Sequence, residues 1–423
     1  MTHTAENNKR IARNTLLLYF RMLLTMTVSL YTSRIVLNIL GVEDFGVYNV
    51  VGGVVAMLGF VTGSLSAASS RYITYALGEG NLNNLKKTFA NIQAIHLIFA
   101  LILIFLAETI GLWFLNNYIQ IPIGRENAVF WVFQFSIITT SLSLISVPYN
   151  ASIIAHEKMS AFAYISILDV TLKLLIVFLL QVINFDKLIL YAAFLCSVQV
   201  IIQITYIFYC KQHFQETLVY PKIDKSQFRE IVIFAGWTMN GNLALMGFTQ
   251  GLNILFNFFF GPAVNAARGI AVQVESVVRH FCSSFQMALN PQLTKSFAQK
   301  DIPQMHKLLN ASSKFSFFLI LFISLPACLE AKLVLQWWLG IVPEYTIIFL
   351  RLILCSCLLG ALSNPIIISV HATGNLKRFQ LIEGSMLLSI VPIAYIGLKF
   401  FDFPPEYVFI VHISIEIITQ YAR

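Results

Sequence analysis

Apolar residues along this chain fall into blocks of roughly 20, separated by short polar segments. Such a block crosses about 30 Å of hydrocarbon as an α-helix, whereas the strands of a membrane barrel are shorter and alternate in polarity. Short connections make consecutive helices antiparallel neighbours. We therefore predict an all-α polytopic membrane protein. Its twelve transmembrane helices are predicted at residues 14–38, 48–70, 90–115, 129–153, 160–183, 188–210, 231–259, 264–290, 313–336, 346–370, 380–400 and 406–422.

The second half of the pattern repeats the first at an offset near 220 residues. The matching pairs are Asn38 and Asn257, Gly41 and Gly261, Lys87 and Lys307, Pro148 and Pro365, and Lys158 and Lys377. Six helices separate the partners, so the halves are parallel repeats. We predict two six-helix lobes, residues 1–215 and 216–423, around a central cavity. By the same offset the twelfth helix should reach about residue 430, so we expect either a short chain or a last helix that is truncated in this sequence.

Composition supports the membrane assignment. Hydrophobic residues make up 57% of the 423 residues and charged residues only 11%, whereas soluble proteins have about 25% charged residues. The net charge of +8 comes from lysines and arginines in the loops on one predicted side, while the opposite loops hold only Arg125 and Lys187. This bias predicts a cytoplasmic N-terminus in a bacterial inner membrane. Because orientation explains the basicity, we expect no nucleic-acid partner.

The predicted loops are short, so no soluble catalytic domain lies between the helices, and we expect no enzymatic activity. The cysteines lie in or beside apolar spans without metal-ligand spacing. They behave as small hydrophobic residues, and no metal site or resident cofactor is expected. A coupling proton or sodium ion is the one small ligand that the polar residues within the spans suggest.

Charged residues inside the predicted spans are the candidates for function, because a charge at mid-bilayer costs at least ~2.5–3.5 kcal/mol unless it faces a cavity or a partner. Arg21 shares a helix face with Thr25 in the first span, and a buried structural pair is its alternative role. Arg34 lies nearer the outer end of that span, where it could equally reach the interface along its aliphatic stem.

The eighth span carries Arg268, Glu275 and Arg279 on one face, with the last two in an i,i+4 pair. The face is net positive, and a neutralising network packed between helices is the alternative. The fifth span carries Asp169 and Lys173, again four residues apart. They are either a mutually neutralised pair or, with Glu275, candidates for ion coupling. Glu416 and His412 are further titratable residues that the sequence does not rank.

The seventh span combines glycines with neutral polar residues. Asn242, Thr249 and Asn253 fall on one face and offer hydrogen bonds suited to sugars. Gly241 and Gly251 permit close helix approach, so packing with helix–helix hydrogen bonds is the alternative. Across both halves the inward charge is net positive. Arginine binds phosphate oxygens through two parallel hydrogen bonds and stays charged, so a diphosphate is the favoured cargo group.

Three stretches carry a resemblance to a known family. Residues 32–49 run from a helix ending in Leu-Gly through an acidic pair to an aromatic-Gly-x-Tyr pattern; residues 148–158 and 372–377 are the other two stretches. Together they resemble Wzx-type polysaccharide flippases of the multidrug/oligosaccharidyl-lipid/polysaccharide (MOP) exporter superfamily. The resemblance implies two six-helix bundles around a cavity, and a cargo of undecaprenyl-diphosphate-linked oligosaccharide for O-antigen or capsule. It implies contact with membrane lipids and with polysaccharide polymerase machinery. It also implies that Arg21, Arg268, Arg279 and, less directly, Arg34 bind the diphosphate.

Two other functions fit parts of the pattern. A multidrug or cation antiporter of the same fold would place unpaired acids in the N-terminal lobe, where this chain has Arg21. A membrane-embedded glycan polymerase or ligase would need a large outer loop with catalytic side chains, and the longest outer loop here, near residues 116–126, has about a dozen residues.

Overall fold

The computed structural model describes residues 2–56, 59–118, 124–339 and 342–422. Every regular element in those ranges is helical, as predicted. The α-helices are α1 Thr2–Ala56, α2 Gly59–Gly78, α3 Leu82–Leu106, α4 Leu112–Tyr118, α5 Glu126–Ala155, α6 Met159–Val182, α7 Lys187–His213, α8 Lys225–Ala298, α9 Ile302–Leu329, α10 Ala331–Leu339, α11 Thr346–Thr373, α12 Lys377–Phe400 and α13 Tyr407–Ala422. A π-helical turn, Ala107–Gly111, joins α3 to α4, and a 3-10 turn, Gln215–Leu218, follows α7.

Eight helical segments within the described ranges are long and apolar enough to cross a membrane, and α13 is a shorter apolar helix. The all-α membrane class is therefore confirmed, and the two-repeat layout is broadly consistent with these elements. Two predicted loops are shorter than expected. Within residues 39–47 and 260–263 the helical backbone is broken at one residue each, so α1 and α8 are each two helices that meet at a kink.

Each of these two long helices contains a single residue that breaks the helical backbone. Gly41 in α1 and Gly261 in α8 both have φ of 78°. A residue with a Cβ rarely adopts that conformation, which glycine reaches without a steric penalty. One residue thus redirects the chain where a loop was expected.

The two glycines are 220 residues apart, and the repeat continues beyond them. Asn81 caps the start of α3 by accepting hydrogen bonds from the Asn83 and Asn84 backbone amides. Asp301 caps α9 in the same way, accepting from the Gln304 amide. The offset is again 301 − 81 = 220. The two halves therefore place the same capping chemistry at corresponding helix starts.

Prolines inside two helices repeat as well. Pro148 lies in α5 and Pro365 in α11. In each helix a serine four residues later donates to the proline carbonyl: Ser152 at 3.1 Å and Ser369 at 2.9 Å. These matched local structures support the internal repeat predicted from the sequence.

The described chain packs as two compact units, Met1–Ala235 and Gly236–Arg423. The division lies inside α8, so residues 216–235 pack with the first unit. The predicted division at 215/216 describes transport lobes, and it stays a prediction. In the second unit the core includes a cluster of aromatic rings from α8, α11 and α13, in which Phe256, Phe349 and Phe409 are buried against one another.

Segments of the first unit that were predicted as loops meet in two separate sets. One set brings together Asp44, Arg125 and Asp186: Arg125 binds Asp44 through two hydrogen bonds and also pairs with Asp186. All three belong to connections predicted on the outer side. The other set contains the α5–α6 connection and the segment after α7, joined by His156 and Glu216 at 2.6 Å. Both of those are predicted cytoplasmic, so the contacts agree with the predicted alternation of loops.

Candidate functional site

The first unit holds Arg21 inside its helix bundle. The side chain projects from α1 toward α6, where its guanidinium carbon lies 4.6 Å from the Phe162 ring centroid. One terminal nitrogen donates to the Ser166 hydroxyl at 3.4 Å. The Nε atom is buried without a hydrogen-bond partner. Within the described residues, no carboxylate lies within ion-pairing distance of Arg21.

The nearest acid on α6 is already neutralised. Asp169 accepts a hydrogen bond from Lys173 at 2.8 Å, which confirms their pairing. Tyr206 of α7 is close enough to interact electrostatically with both Arg21 and Asp169, and it accepts a hydrogen bond from Asn150 at 3.3 Å. With Arg21, Asp169 and Lys173 formally charged, this cluster has a net charge of +1.

The remaining predicted residues of the first unit contribute less. Thr25 donates its hydroxyl hydrogen to the Met22 carbonyl in its own helix at 3.0 Å. Its oxygen lone pairs are the only part left for a ligand. The side chain of Arg34 lies outside the part of the structure that is described. The neighbours Ser166, Phe162 and Tyr206 were not predicted, because their approach to Arg21 depends on how three helices pack.

The second unit centres on Arg268, which is only 6% exposed. Arg268 donates to the side-chain oxygen of Asn253 and, at 3.4 Å, to the Thr249 carbonyl. Its guanidinium carbon lies 5.6 Å from the Phe256 ring centroid. The structure thus joins a predicted diphosphate-binding residue to two predicted sugar-binding residues, across the break at Gly261. The Asn253 side-chain oxygen binds the arginine, so in this state it is not free for a sugar. Thr249 binds the arginine through its backbone carbonyl, and its hydroxyl donates to the Met246 carbonyl at 3.1 Å.

Arg279 and Glu275 form the predicted i,i+4 pair, with Nε and Oε1 2.7 Å apart. The Arg279 guanidinium also lies against α11. A Cβ added to Gly360 would be 3.1 Å from Nη1 of Arg279. A glycine at this position therefore leaves space for the arginine, a role that the sequence pattern did not indicate.

The α13 helix adds an acid to this set. Glu416 and His412 interact electrostatically with Arg279. Glu416 also accepts a hydrogen bond from Ser363 at 3.4 Å. With the two arginines positive, the two glutamates negative and His412 neutral, the net charge is zero. The positive face predicted from the eighth span is therefore balanced by a carboxylate from another helix.

Close helix packing accounts for the glycines of the seventh predicted span. A Cβ at Gly241 would be 2.0 Å from the Gln380 oxygen, and one at Gly251 would be 2.8 Å from a methyl carbon of Val391. Both neighbours belong to α12. Asn242 is half-buried on the same part of α8. Among the described residues, no group of three or more histidines, cysteines, aspartates and glutamates is placed to hold a metal ion.

Solved structures share this architecture over nearly the whole chain. A MATE transporter in complex with MaD5 superimposes with a TM-score of 0.80 at 14% identity, covering 98% of this chain and 94% of that one. The Vibrio cholerae MATE transporter VcmN in its bent form has a TM-score of 0.78 at 16% identity, covering 100% and 96%. A MOP superfamily transporter from Pyrococcus furiosus has a TM-score of 0.75 at 14% identity, covering 98% and 94%.

This chain has the fold of those transporters. No family model matches the sequence, and no curated protein matches it. The MOP-type fold implied by the resemblance is supported, whereas the polysaccharide-flippase subtype rests on the residues alone.

Proposed function

We propose that this protein flips an undecaprenyl-diphosphate-linked oligosaccharide from the cytoplasmic to the outer leaflet, for O-antigen or capsule assembly. It would act by alternating access in the bacterial inner membrane, with its N-terminus in the cytoplasm. The observation that carries the proposal is the positive charge of Arg21, which among the described residues has no carboxylate within ion-pairing distance. An arginine between transmembrane helices without a carboxylate partner favours an anionic ligand, because the ligand would supply the missing counter-charge.

Arg268 supports the same cargo from the second unit. It is buried among neutral acceptors and, within the described residues, has no ion pair. Its guanidinium therefore has no ion-pair partner at short range among the described residues, although Glu275 interacts with it electrostatically. Arg279 differs, because Glu275 already pairs with it. We assign Arg21 and Arg268 as the principal diphosphate ligands. We assign the Glu275–Arg279 pair to ion coupling, or to a change of ion-pair partners during transport.

Neutral polar groups beside the arginines suit the sugars of such a cargo. Asn253, Thr249 and Asn242 in α8, with Thr25 and Ser166 in the first unit, offer hydrogen bonds without adding charge. In the proposed cycle these groups contact the diphosphate and sugars while the polyprenyl chain stays in the lipid. The arginines stabilise phosphate charge in a low-dielectric environment, where unpaired charge is costly.

A multidrug or cation antiporter is the second candidate. It is favoured by the acids of the second unit, since Glu416 joins Glu275 near Arg279. One similar structure, the Pyrococcus furiosus transporter, is described as having a binding pocket of reversed polarity and a different function. The cargo must therefore be argued from the side chains, and the isolated Arg21 favours an anion here.

The first experiment measures the sidedness of polyprenyl-diphosphate oligosaccharide in cells depleted of the protein. We expect complete units to accumulate on the cytoplasmic leaflet and to reappear outside when the protein is restored. Unchanged export together with reduced efflux of cationic dyes would establish the antiporter instead.

The second experiment tests the ligand assignment with purified protein and undecaprenyl diphosphate. Losing one charge-assisted contact of about 1.5–3 kcal/mol should weaken binding roughly 10-fold or more in Arg21→Gln. Arg21→Lys, which keeps the charge but not the bidentate geometry, should be intermediate. Arg351→Gln is the matched control, because Arg351 donates to the Cys328 carbonyl away from the two clusters. Equal binding by all variants would remove Arg21 from the site.

A further inference from the structure

The segment between α7 and α8, residues 214–224, has two different faces. Phe214, Glu216 and Thr217 are buried against the first unit. In the same segment Leu218 is 60% exposed, Tyr220 89% and Ile223 50%. We refer to residues 214–224 as the linker. Its large apolar side chains thus project away from the protein, which a loop surrounded by water would disfavour.

Specific contacts fix the linker in this orientation. Glu216 pairs with His156 at 2.6 Å, and the Phe214 ring stacks on His156 with centroids 4.1 Å apart. The Asp224 amide donates to the fully buried side chain of Asn91 at 2.7 Å. The Lys222 amide donates to the Ala90 carbonyl at 3.3 Å. Both ends of the exposed stretch are therefore held.

The contact with α3 sets the depth of the linker. Ala90 lies eight residues after Leu82, where α3 begins, which is roughly 12 Å along the axis at 1.5 Å per residue. Residue 90 is also where the predicted apolar span starts. The linker consequently runs beside the helix at the boundary between its polar end and its apolar body, and not beyond the helix ends.

Charge on the exposed surface has one sign. Lys211, Lys222 and Lys225 are exposed. The two acids of the linker are occupied: Glu216 by His156, and Asp224 by Lys87 at 2.7 Å. Apolar side chains beside lysines at this depth match the acyl and headgroup layers of an anionic bilayer.

We propose that the linker is an anionic-lipid contact, in which Leu218, Tyr220 and Ile223 insert into the bilayer interface and Lys211, Lys222 and Lys225 bind lipid phosphates. The contact anchors the connection between α7 and α8, which lies within the first unit, and it is independent of the cargo. Its occupant is the leaflet on the predicted cytoplasmic side.

The test places a fluorescent probe on the linker of the full chain. Tyr220→Trp is reconstituted in nanodiscs of phosphatidylcholine and phosphatidylglycerol. The quenching of its tryptophan fluorescence by lipids brominated high on the acyl chain is measured. The same measurement on the parent protein, which has five tryptophans, gives the background. The depth control is Glu79→Trp, in the turn before α3, which lies about 12 Å farther along the helix axis. We expect added quenching for Tyr220→Trp and little for Glu79→Trp.

The lipid charge is tested by moving the bromine label between the two lipids. Quenching by labelled phosphatidylglycerol should exceed quenching by labelled phosphatidylcholine by about twofold or more, since each lysine near an anionic surface favours it. We expect that ratio to fall to near one in the triple variant Lys211→Gln/Lys222→Gln/Lys225→Gln. The difference in quenching between Tyr220→Trp and Glu79→Trp should remain. Equal quenching at the two probe positions would overturn the proposal, as would a ratio of one in the variant that retains the lysines. If Tyr220→Trp becomes less accessible to the brominated lipids as the protein-to-lipid ratio rises, a protein partner covers the linker and the proposal is overturned.

Discussion

Arg268 donates a hydrogen bond to the side-chain oxygen of Asn253, although the two are 15 residues apart within α8. In a straight α-helix that separation would span about 22 Å. The bond exists because Gly261, between them, has a non-helical backbone. A backbone break thus assembles a polar cluster from two predicted sites.

This relationship predicts that Asn253→Leu destabilises the protein. Arg268 would be left with one weaker acceptor, at a cost of about 1–3 kcal/mol for a buried donor group. Thermal unfolding in detergent would measure the loss. Asn257→Leu is the control, because Asn257 is an exposed asparagine of the same helix. In a double-mutant cycle with Arg268→Gln, additive effects would contradict a direct interaction.

The Glu275–Arg279 pair should respond differently to single and double substitution. Arg279→Ala is expected to abolish transport while folded protein is retained. It leaves Glu275, whose side chain is 17% exposed, without its counter-charge, at about 1–3 kcal/mol of stability. Glu275→Gln/Arg279→Gln should recover most of that stability but not transport, as followed by unfolding and by a flipping assay. Normal transport by Arg279→Ala would remove it from the site.

Close packing between α8 and α12 predicts a position-specific cost of adding one methyl group. Gly251→Ala would place a Cβ 2.8 Å from the β-branched side chain of Val391, and overpacking costs about 1–3 kcal/mol. Gly236→Ala has nothing within 4 Å and should be neutral or slightly stabilising in a helix. The midpoint of thermal unfolding compares the two, and equal midpoints would argue against the tight contact.

Docking of the linker should depend on pH through Asp224. Hydrogen bonding from Lys87 holds the pKa of Asp224 below its ordinary value. A lowered pKa favours the folded, ionised form, so this contribution is present above the unfolded pKa and is lost as the pH falls through the folded value. We expect lower hydrogen-exchange protection factors at residues 219–225 in acid, below about pH 4. Asp224→Asn should show that loss of protection already at neutral pH, and Lys87→Gln should shift its onset to higher pH. Exchange that is identical in all three proteins at neutral pH would contradict this role.

Arg125 is predicted to hold together the outer end of the first unit. Arg125→Gln would leave Asp44, which is 7% exposed, without its ionic partner. Because the Arg125 side chain is 33% exposed, the expected loss is moderate, about 1–2 kcal/mol. Arg125→Gln/Asp44→Asn should recover part of it, as measured by the unfolding midpoint. A midpoint unchanged in Arg125→Gln would show that the bridge contributes no stability.

The sequence by itself determined the fold class, the repeat and the local pairs. Apolar blocks of membrane-spanning length allow only helices, because every backbone polar group in lipid must be bonded within its own segment. Gly41 and Gly261 mark corresponding positions, and the Asp169–Lys173 and Glu275–Arg279 pairs follow from helix geometry, which fixes neighbours four residues apart.

Only the tertiary structure decided which charges lie together between helices. Among the described residues Arg21 has no ion-pair partner, since Asp169 of α6 pairs with Lys173 instead, and Arg279 has Glu416 nearby because α13 packs beside α8. The loops predicted at residues 39–47 and 260–263 were too long for a related reason. One positive-φ glycine redirects a helix as well as a loop does, and sequence periodicity does not distinguish them. Contacts between segments distant in sequence depend on helix rotation and packing, which the one-dimensional pattern does not encode.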